Sequence, residues 1–420
     1  MSDIIVGLDI GTSFVRAVIG EFTENDTIQI IGVGKSVSTG LRNGAVVNIE
    51  ATMRALKEAI EAAEMVSGYE VMSCVTGIGG LQIESLNSKG LVAVTGKGKS
   101  SREITQADVT RVIEAAKAVV IPMDRQILHV VPQSYIVDGQ RGIKNPKDMI
   151  GIRLEAEVHI ITASVTAVQN IQRCVDRAGY KIDGVMLKTL AATQAVMTEE
   201  ELELGSILID LGGGTTDALV LVGGAPVCTV SVPVGSSFVT NDIAVVKGIS
   251  FETAERIKLK SGCCWEPLID SYEEVIIPGV GGRAPEAISR VEICQIIQAR
   301  MEELFEMVRS EIVKKSNLTQ LSGNVVLVGG GALLPGVVEL AQSVFKTTSV
   351  RIGIPGNLGG IMEEYRTPEY ATVAGLILSN LNLRRRIDIK HNNKYNEREN
   401  TKKSGGNLGK KLSDLFKEFF

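Results

Sequence analysis

The sequence predicts an α/β fold, made by duplication and carrying an inserted α+β subdomain, and three observations predict it. The first is Ser206–Val222, SILIDLGGGTTDALVLV, where an apolar run holding one acid, Asp210, meets three glycines and two threonines before Asp217 and a second apolar run. That is the pattern of a buried strand, a tight glycine turn and a returning strand. The second is a repeat: moved by 201 positions, Val6–Ile19 (VGLDIGTSFVRAVI) lies on Ile207–Val220 without a gap, with Asp9 on Asp210, Gly11 on Gly212 and Ala17 on Ala218. The third is an interruption, Leu81–Ile161, whose own strands and helix part the first copy from the resumption of its pattern.

Taken in order, Met1–Glu21 gives two strands and Ile28–Val37 a third. Ile49–Ser67 reads as a helix, because Met53, Leu56, Ile60, Ala63 and Met65–Val66 recur on one side. Tyr69–Ile78 returns a strand. Within the interruption Leu91–Thr95 alternates as a strand and Gly96–Ser100 turns. Thr105–Val120 is a helix with a legible start: Thr105 and Asp108 make a capping box, and Ile104 staples onto Val109. Gln126–Asp138 and Arg153–Ile161 are strands, which completes a module of about eighty residues, enough for an inserted domain. Gly98-Lys99-Ser100 mimics the end of a phosphate-binding P-loop, but Ala93 stands where its first glycine belongs and no helix begins at once.

Thr162–Arg177 is a helix stopped by Gly179, Lys181–Leu187 a strand, and Thr189–Glu199 the helix leading to the second hairpin. Then come the extended Ala225–Val234, a helix around Val239–Lys247 and the charged amphipathic helix Phe251–Lys260. Tyr272–Val280 is extended and Ser289–Ser316 is a long helix. Gly323–Val328 is a strand running into Gly329-Gly330-Gly331, followed by a helix, Leu334–Phe345. Val350–Ile354 closes the fold as a strand and Tyr370–Asn382 as a helix.

The composition is that of an ordinary globular chain, 44% hydrophobic and 22% charged, and 420 residues leave room for two to four domains. A net charge of −5 argues against general nucleic-acid binding, but the charge is uneven. From Arg384 to Phe420 there are 11 Lys/Arg against 5 Asp/Glu, a net +6, so the remainder carries −11. Six cysteines (Cys74, Cys174, Cys228, Cys263, Cys264, Cys294) show no metal-ligand spacing, and three scattered histidines make a His-based metal site a poor reading. With no apolar run of membrane-span length and no signal-peptide pattern, the expected compartment is a reducing cytoplasm.

Glycines let backbone N–H groups approach an anion closely, and threonine hydroxyls add donors. Two such turns, each with an acid, would clamp a polyphosphate from both sides, and Asp9 and Asp210 would hold a hydrated Mg²⁺ between them. The pair resembles the two phosphate loops of the actin and sugar-kinase ATPase superfamily, in that superfamily's order. The resemblance implies a duplicated actin-like (ribonuclease H-like) fold that binds ATP. It assigns the phosphates to Gly11, Thr12, Ser13, Gly212, Gly213, Gly214, Thr215 and Thr216, the adenosine to Gly329, Gly330 and Gly331, and the nucleoside grip to Glu255 and Lys258. Alone, an acid and a base three apart on a helix are a solvated pair worth a few tenths of a kcal/mol. Members that hydrolyse ATP well carry an acid or Gln before the helix preceding the second loop. Here Lys188 and Thr189 stand there, and neither is a ready base, so binding with at most weak turnover is expected.

Residues 384–406 are rich in Arg, Lys and Asn and poor in apolar side chains, the signature of a disordered linker. In 407–420, Leu408, Leu412, Leu415, Phe416, Phe419 and Phe420 fall on one helical face flanked by Lys410 and Lys411. Such a helix is too short to span a bilayer and suits its surface. Half-burying six of these side chains is worth on the order of 5–8 kcal/mol, and each lysine adds about 1 kcal/mol on an anionic membrane.

With this tail, the inserted module and the actin-like body, the chain resembles the FtsA family of bacterial division proteins. Further matches are Tyr135–Asp138 with Asn145-Pro146, Thr198–Gly205, Val280–Arg283 and Val350–Gly353. The resemblance implies ATP-dependent self-association into filaments, anchorage of the tubulin-like FtsZ at the cytoplasmic face of the membrane at the septum, and recruitment of later division proteins. It divides the chain into a first core half (1–82 and 162–196), the insertion (83–161), a second core half (197–224 and 308–383), a nucleotide- and FtsZ-binding subdomain (225–307), the linker and the membrane helix. Arg300 matches a basic position suited to the acidic FtsZ tail peptide, and Arg283 lies in a neighbouring motif, although Ala284 and Glu286 depart from the family there. Either arginine could equally serve a structural ion pair. The competing readings are a soluble actin-superfamily ATPase or small-molecule kinase, a chaperone-type ATPase, and a pilus-assembly relative.

Overall fold

The computed structural model describes residues 4–23, 27–95, 101–279, 284–316, 323–356, 358–360, 363 and 365–380. Two sheets dominate it and share one wiring. In the first, Ile4–Ile10 lies between Phe14–Phe22 and Ser73–Ile78, with Ile28–Val37 beyond the former and Lys181–Leu187 beyond the latter. In the second, Ser206–Leu211 lies between Thr216–Val222 and Asn324–Val328, with Ala225–Val232 and Val350–Ile352 outside them. Each half thus runs two antiparallel strands to one side of its first strand and adds two parallel strands on the other. The internal repeat of the sequence is a repeat of topology.

Helices cover the faces of these sheets, as parallel pairs require. Ile49–Ser67 starts where the Asn48 side chain accepts from Ala51 N and stops at Gly68, left-handed at φ 72°. It lies flush on Ile28–Val37 because Gly34 has no side chain: a Cβ there would stand 2.0 Å from Ala59 O. The long helix Arg290–Ser316 buries Ile297, Met301, Leu304, Phe305 and Val308 against the second sheet.

The insertion is a four-stranded antiparallel sheet in the order Gln140–Ile143, Arg125–Val137, Arg153–Ser164, Ile83–Ala93, backed by the helix Gln106–Lys117. It has its own core, including Val112, Ala116, Leu154, Val158 and Ile160. The Thr105/Asp108 capping box is present, and Ile104 and Val109 are buried in that core. Asp108 also accepts from Arg102 through both oxygens and from Arg111, and the Arg102 bonds, together with those from Thr105, hold its carboxyl well below the usual carboxylate range.

Several expected boundaries shift. Tyr69–Ile78 is a strand only over Ser73–Ile78, and a 3₁₀ turn, Gly330–Leu333, precedes a helix that begins at Val337 rather than Leu334. Residues 365–380, expected in the second core half, bury Tyr365, Tyr370, Val373, Leu376 and Ile377 in a core that holds Leu8, Val18 and Leu56 of the first half together with Val326 and Val328 of the second sheet. Gly359–Gly360 pairs with Ile28–Val37 of the first sheet as well. The apolar face of helix 371–380 completes the half left open beside Gly7, where a Cβ would stand 2.8 Å from Val373 O.

The insertion also touches the second half. His159 bonds Asn87 Oδ1 (2.7 Å) and Thr229 Oγ1 (3.0 Å), while Gln133 and Asn87 donate to the carbonyls of Pro226 and Val227. Burial pushes the His159 imidazole down to about 4, so the junction holds a neutral ring.

Candidate functional site

The two glycine turns face each other between the halves. Each closes the same way: a Cβ at Gly11 would stand 2.6 Å from Phe14 O, and at Gly212 2.7 Å from Thr215 O. Across the gap, Gly213 lies against Ser13 and Gly214 against Thr12. The carbonyls of Gly212 and Gly213 accept from the amides of Ser236 and Ser237, so the second turn is seated on the start of helix Ser236–Lys247. Above the turns opens a cavity of about 870 Å³.

Asp9, Gly11, Thr12, Ser13, Asp210, Gly212, Gly213, Gly214, Thr215, Glu255, Lys258, Gly329, Gly330 and Gly331 all line this cavity. Residues from four separated stretches of chain therefore meet at one place. Thr216 does not join them. Strand alternation turns it away, and its buried hydroxyl donates to Val234 O at 2.8 Å. It holds the returning strand, which corrects its expected place among the phosphate-facing residues.

The cleft floor is acidic and crowded. Asp9 pairs across its hairpin with Arg16, and Asp210 with Asp217, at equivalent positions of the two copies. Burial pushes Asp210 up to about 7, and the neighbouring Asp217 and Asp9 push in the same direction. Burial also raises Asp217, against bonds from Ser231, Gly80 N and Thr215 that favour its charged form. Lys188 reaches into this group, its Nζ 2.7 Å from both Asp9 Oδ1 and Ile10 O. The carboxylate oxygens suit a hard cation. Among the described residues no three side chains form a metal-holding group, so a cation here would be held largely by water and by a bound anion.

Glu255 and Lys258 form an ion pair of 2.7 Å on the helix Phe251–Ser261. Thr240, on the adjacent helix, donates to Glu255 and accepts from Lys258, which fixes both side chains. Opposite them, the turn Gly329–Gly331 follows strand Asn324–Val328, with Gly329 at φ 84° and its amide on Pro368 O. A Cβ at Gly329 would stand 2.3 Å from Asp210 Oδ1, a position only glycine tolerates.

Sequence reasoning missed Lys188, Asp217, Arg16, Lys35 and Glu369 as cleft residues. Arg16 Nη2 and Lys35 Nζ both bond Glu369 (2.6 and 3.1 Å), and the Arg16 guanidinium lies 5.4 Å from the ring centroids of Phe14 and Tyr370. The repeat carried a signal for two of them: Arg16 falls on Asp217 in the same shift that lays Asp9 on Asp210, one strand over on the same face.

Arg300 sits outside the cleft, held by Asp242 through two contacts (2.5 and 3.1 Å) and by Glu303. Its guanidinium therefore serves an ion pair between two helices. Arg283 and the tail residues Leu408, Lys410, Lys411, Leu412, Leu415, Phe416, Phe419 and Phe420 lie outside the described residues. Among the described residues no helix is long and apolar enough to cross a membrane. The six cysteines are free thiols, all buried.

Two motifs noted in the sequence prove to be one contact. Arg351 binds both carboxylate oxygens of Glu201 at 2.6 Å and donates to Val196 O, while Glu201 caps its own helix at Thr198.

The family described as cell division protein FtsA matches residues 207–375, and the SHS2 domain inserted in FtsA matches residues 80–162. The chain is 46% identical over 377 residues to the cell division protein FtsA of Borreliella burgdorferi, covering 90% of each chain. It is 40% identical to that of Pseudomonas aeruginosa, covering 90% of this chain and 89% of the relative. Among solved structures it is similar to a PilM–PilN type IV pilus biogenesis complex (TM-score 0.65, 18% identity, 90% of this chain and 98% of the other). MreB5 of Spiroplasma citri bound to AMPPNP (0.53, 14%, 92% and 98%) and a MamK double helical filament (0.50, 13%, 90% and 98%) share the fold. The fold is that of the actin-like ATPases with an inserted SHS2 domain, and on its likeness over nine-tenths of its length the chain belongs to the FtsA family of cell division proteins.

Proposed function

We propose that the cleft binds ATP with Mg²⁺ and that the chain is a nucleotide-dependent membrane scaffold of bacterial division. The observation that carries the reading is the meeting of two equivalent glycine turns, each with its aspartate, in one cavity of about 870 Å³. In this reading the amides of Gly11–Ser13 and Gly212–Thr215 cradle the phosphates, with the hydroxyl of Thr12 as an added donor. Gly329–Gly331 lies flat against the nucleoside, and the Glu255–Lys258 pair grips it. Asp9 and Asp210 would hold the hydrated Mg²⁺, which supplies charge neutralisation to the phosphates. Lys188 stands where a water-orienting acid is expected, and an ammonium cannot take a proton from water. Turnover is therefore slow and the bound state long-lived.

ATP bridging the two turns would favour one arrangement of the halves and, with it, self-association into filaments. Many tail helices, each bound weakly by Leu408, Leu412, Leu415, Phe416, Phe419, Phe420 and the lysines 410 and 411, would then act together on an anionic membrane at the septum. FtsZ would dock its tail peptide on residues 225–307, near Arg283 and Arg300, and later division proteins would join the assembly.

The test is sedimentation with anionic liposomes, comparing the full chain with one ending at Gly406, with and without ATP and Mg²⁺. The reading expects only the full chain to pellet with lipid, and more of it with ATP. If both stay in solution, the tail is not an anchor and a soluble actin-like ATPase is the better reading.

A further inference from the structure

Lys188 opens the helix Lys188–Val196 at the end of strand Lys181–Leu187. Its side chain reaches the cleft by running over two glycines of the neighbouring strand end: a Cβ at Gly77 would stand 2.9 Å from Lys188 Cγ, and one at Gly79 3.3 Å from Cδ. Any other residue at Gly77 would block that path. The side chain is 15% exposed, yet its ammonium stays satisfied, with Asp9 Oδ1 and Ile10 O both at 2.7 Å. An ammonium has three donors. One is given to Ile10 O, Asp9 Oδ1 lies 2.7 Å away as an ion-pair partner without a hydrogen bond, and donor capacity is left for whatever enters the cavity that Lys188 lines. Its charge also acts on Asp210 and Asp217, favouring their ionised forms.

A polyphosphate entering a floor of three aspartates meets like charge, and some cation must offset it. We propose that Lys188 is a resident counter-cation of this site: it neutralises Asp9 and donates a remaining N–H to a phosphate oxygen, so that nucleotide binding depends only weakly on a divalent cation. The proposal rests on the ATP reading and adds to it. It follows that Asp9 is shared between Lys188 and any hydrated metal. It also follows that Lys188 is a binding residue, where the sequence marks only a missing base.

The test measures ATP affinity of the full chain by equilibrium titration in Mg²⁺ and in excess EDTA, for the native protein and for Lys188→Ala and Lys188→Arg. A lost charge-assisted bond corresponds to about 30-fold in affinity. The native protein is expected to weaken less than about threefold in EDTA, and Lys188→Ala to weaken about 30-fold there while Mg²⁺ restores most of its binding. Lys188→Arg, which keeps the charge, should retain metal tolerance, and thermal melting in Mg²⁺ shows whether each variant folds. Equal loss of binding in EDTA by the native protein and Lys188→Ala overturns the proposal while leaving the ATP reading in place. Absence of ATP binding by the native protein even in Mg²⁺ overturns both.

Discussion

Gly213 lies so close to Ser13 that a Cβ at 213 would stand 2.1 Å from the Ser13 hydroxyl. This contact joins the two copies of the duplicated turn at residues 200 apart in the chain. Gly213→Ala must displace the Ser13 hydroxyl and crowds Ser13 Cβ at 3.1 Å. ATP affinity should fall at least about tenfold, with overpacking costing about 1–3 kcal/mol of stability. Ser13→Gly in the same chain removes the obstacle and should recover part of the loss, a coupling that a double-mutant cycle measures. Strictly additive effects would show that the turns do not constrain each other.

Asp210 gives a pH prediction whose sign is set by its surroundings. Its folded value is raised to about 7, from an ordinary value of about 3.9. Its contribution to stability is therefore fully present below about pH 4 and lost as pH rises through about 7. Asp210→Asn should remove that loss, stabilising the chain at pH 8 by on the order of 1–3 kcal/mol and by little at pH 4. Urea unfolding at the two pH values reads this directly, while ATP affinity in Mg²⁺ should fall. A variant no more stable than the native chain at pH 8 would contradict the buried carboxylate cluster.

The ion pair of Arg351 with Glu201 ties the last strand of the second sheet to the short helix Glu199–Leu204. Replacing Arg351 by Ala removes two charge-assisted bonds and the donor to Val196 O. A loss of about 1–3 kcal/mol is expected in chemical denaturation. Glu201→Ala should cost a similar amount and add little when combined with it.

Arg300 is engaged by Asp242 and Glu303, so an acidic peptide must compete for it. If the proposed docking of the FtsZ tail peptide holds, Asp242→Ala, which leaves Arg300 to Glu303 alone, should strengthen peptide binding several-fold. Arg300→Ala should weaken it about tenfold. Fluorescence anisotropy of a labelled peptide distinguishes this from a purely structural arginine, for which both variants would bind alike.

Helix 371–380 docks against Lys188–Val196 at Gly375, where a Cβ would stand 1.8 Å from Ala191 O. Gly375→Ala should destabilise the fold by about 1–3 kcal/mol or more. Because the helix packs on the first sheet at Gly7 and Gly20, the loss should appear there, read by hydrogen exchange in Ile4–Ile10 and Phe14–Phe22.

Much of this protein could be read from its sequence. The gapless repeat announced the duplicated topology. The glycine turns and their aspartates announced the cleft, and Thr105 with Asp108 announced a helix start that the structure reproduces. These features are local: periodicity, turn chemistry and capping act between residues a few positions apart. Thr216 was misplaced because a turn motif does not say which of two adjacent threonines faces the site, and strand alternation decides that only once the register is known. The tertiary structure alone decided that Lys188 reaches Asp9 and Ile10, that residues 371–380 pack against the first sheet, and that the insertion is bonded to the edge strand of the second. Each of these depends on which buried surfaces meet, and no pattern within one stretch of chain encodes a contact between residues 178 apart.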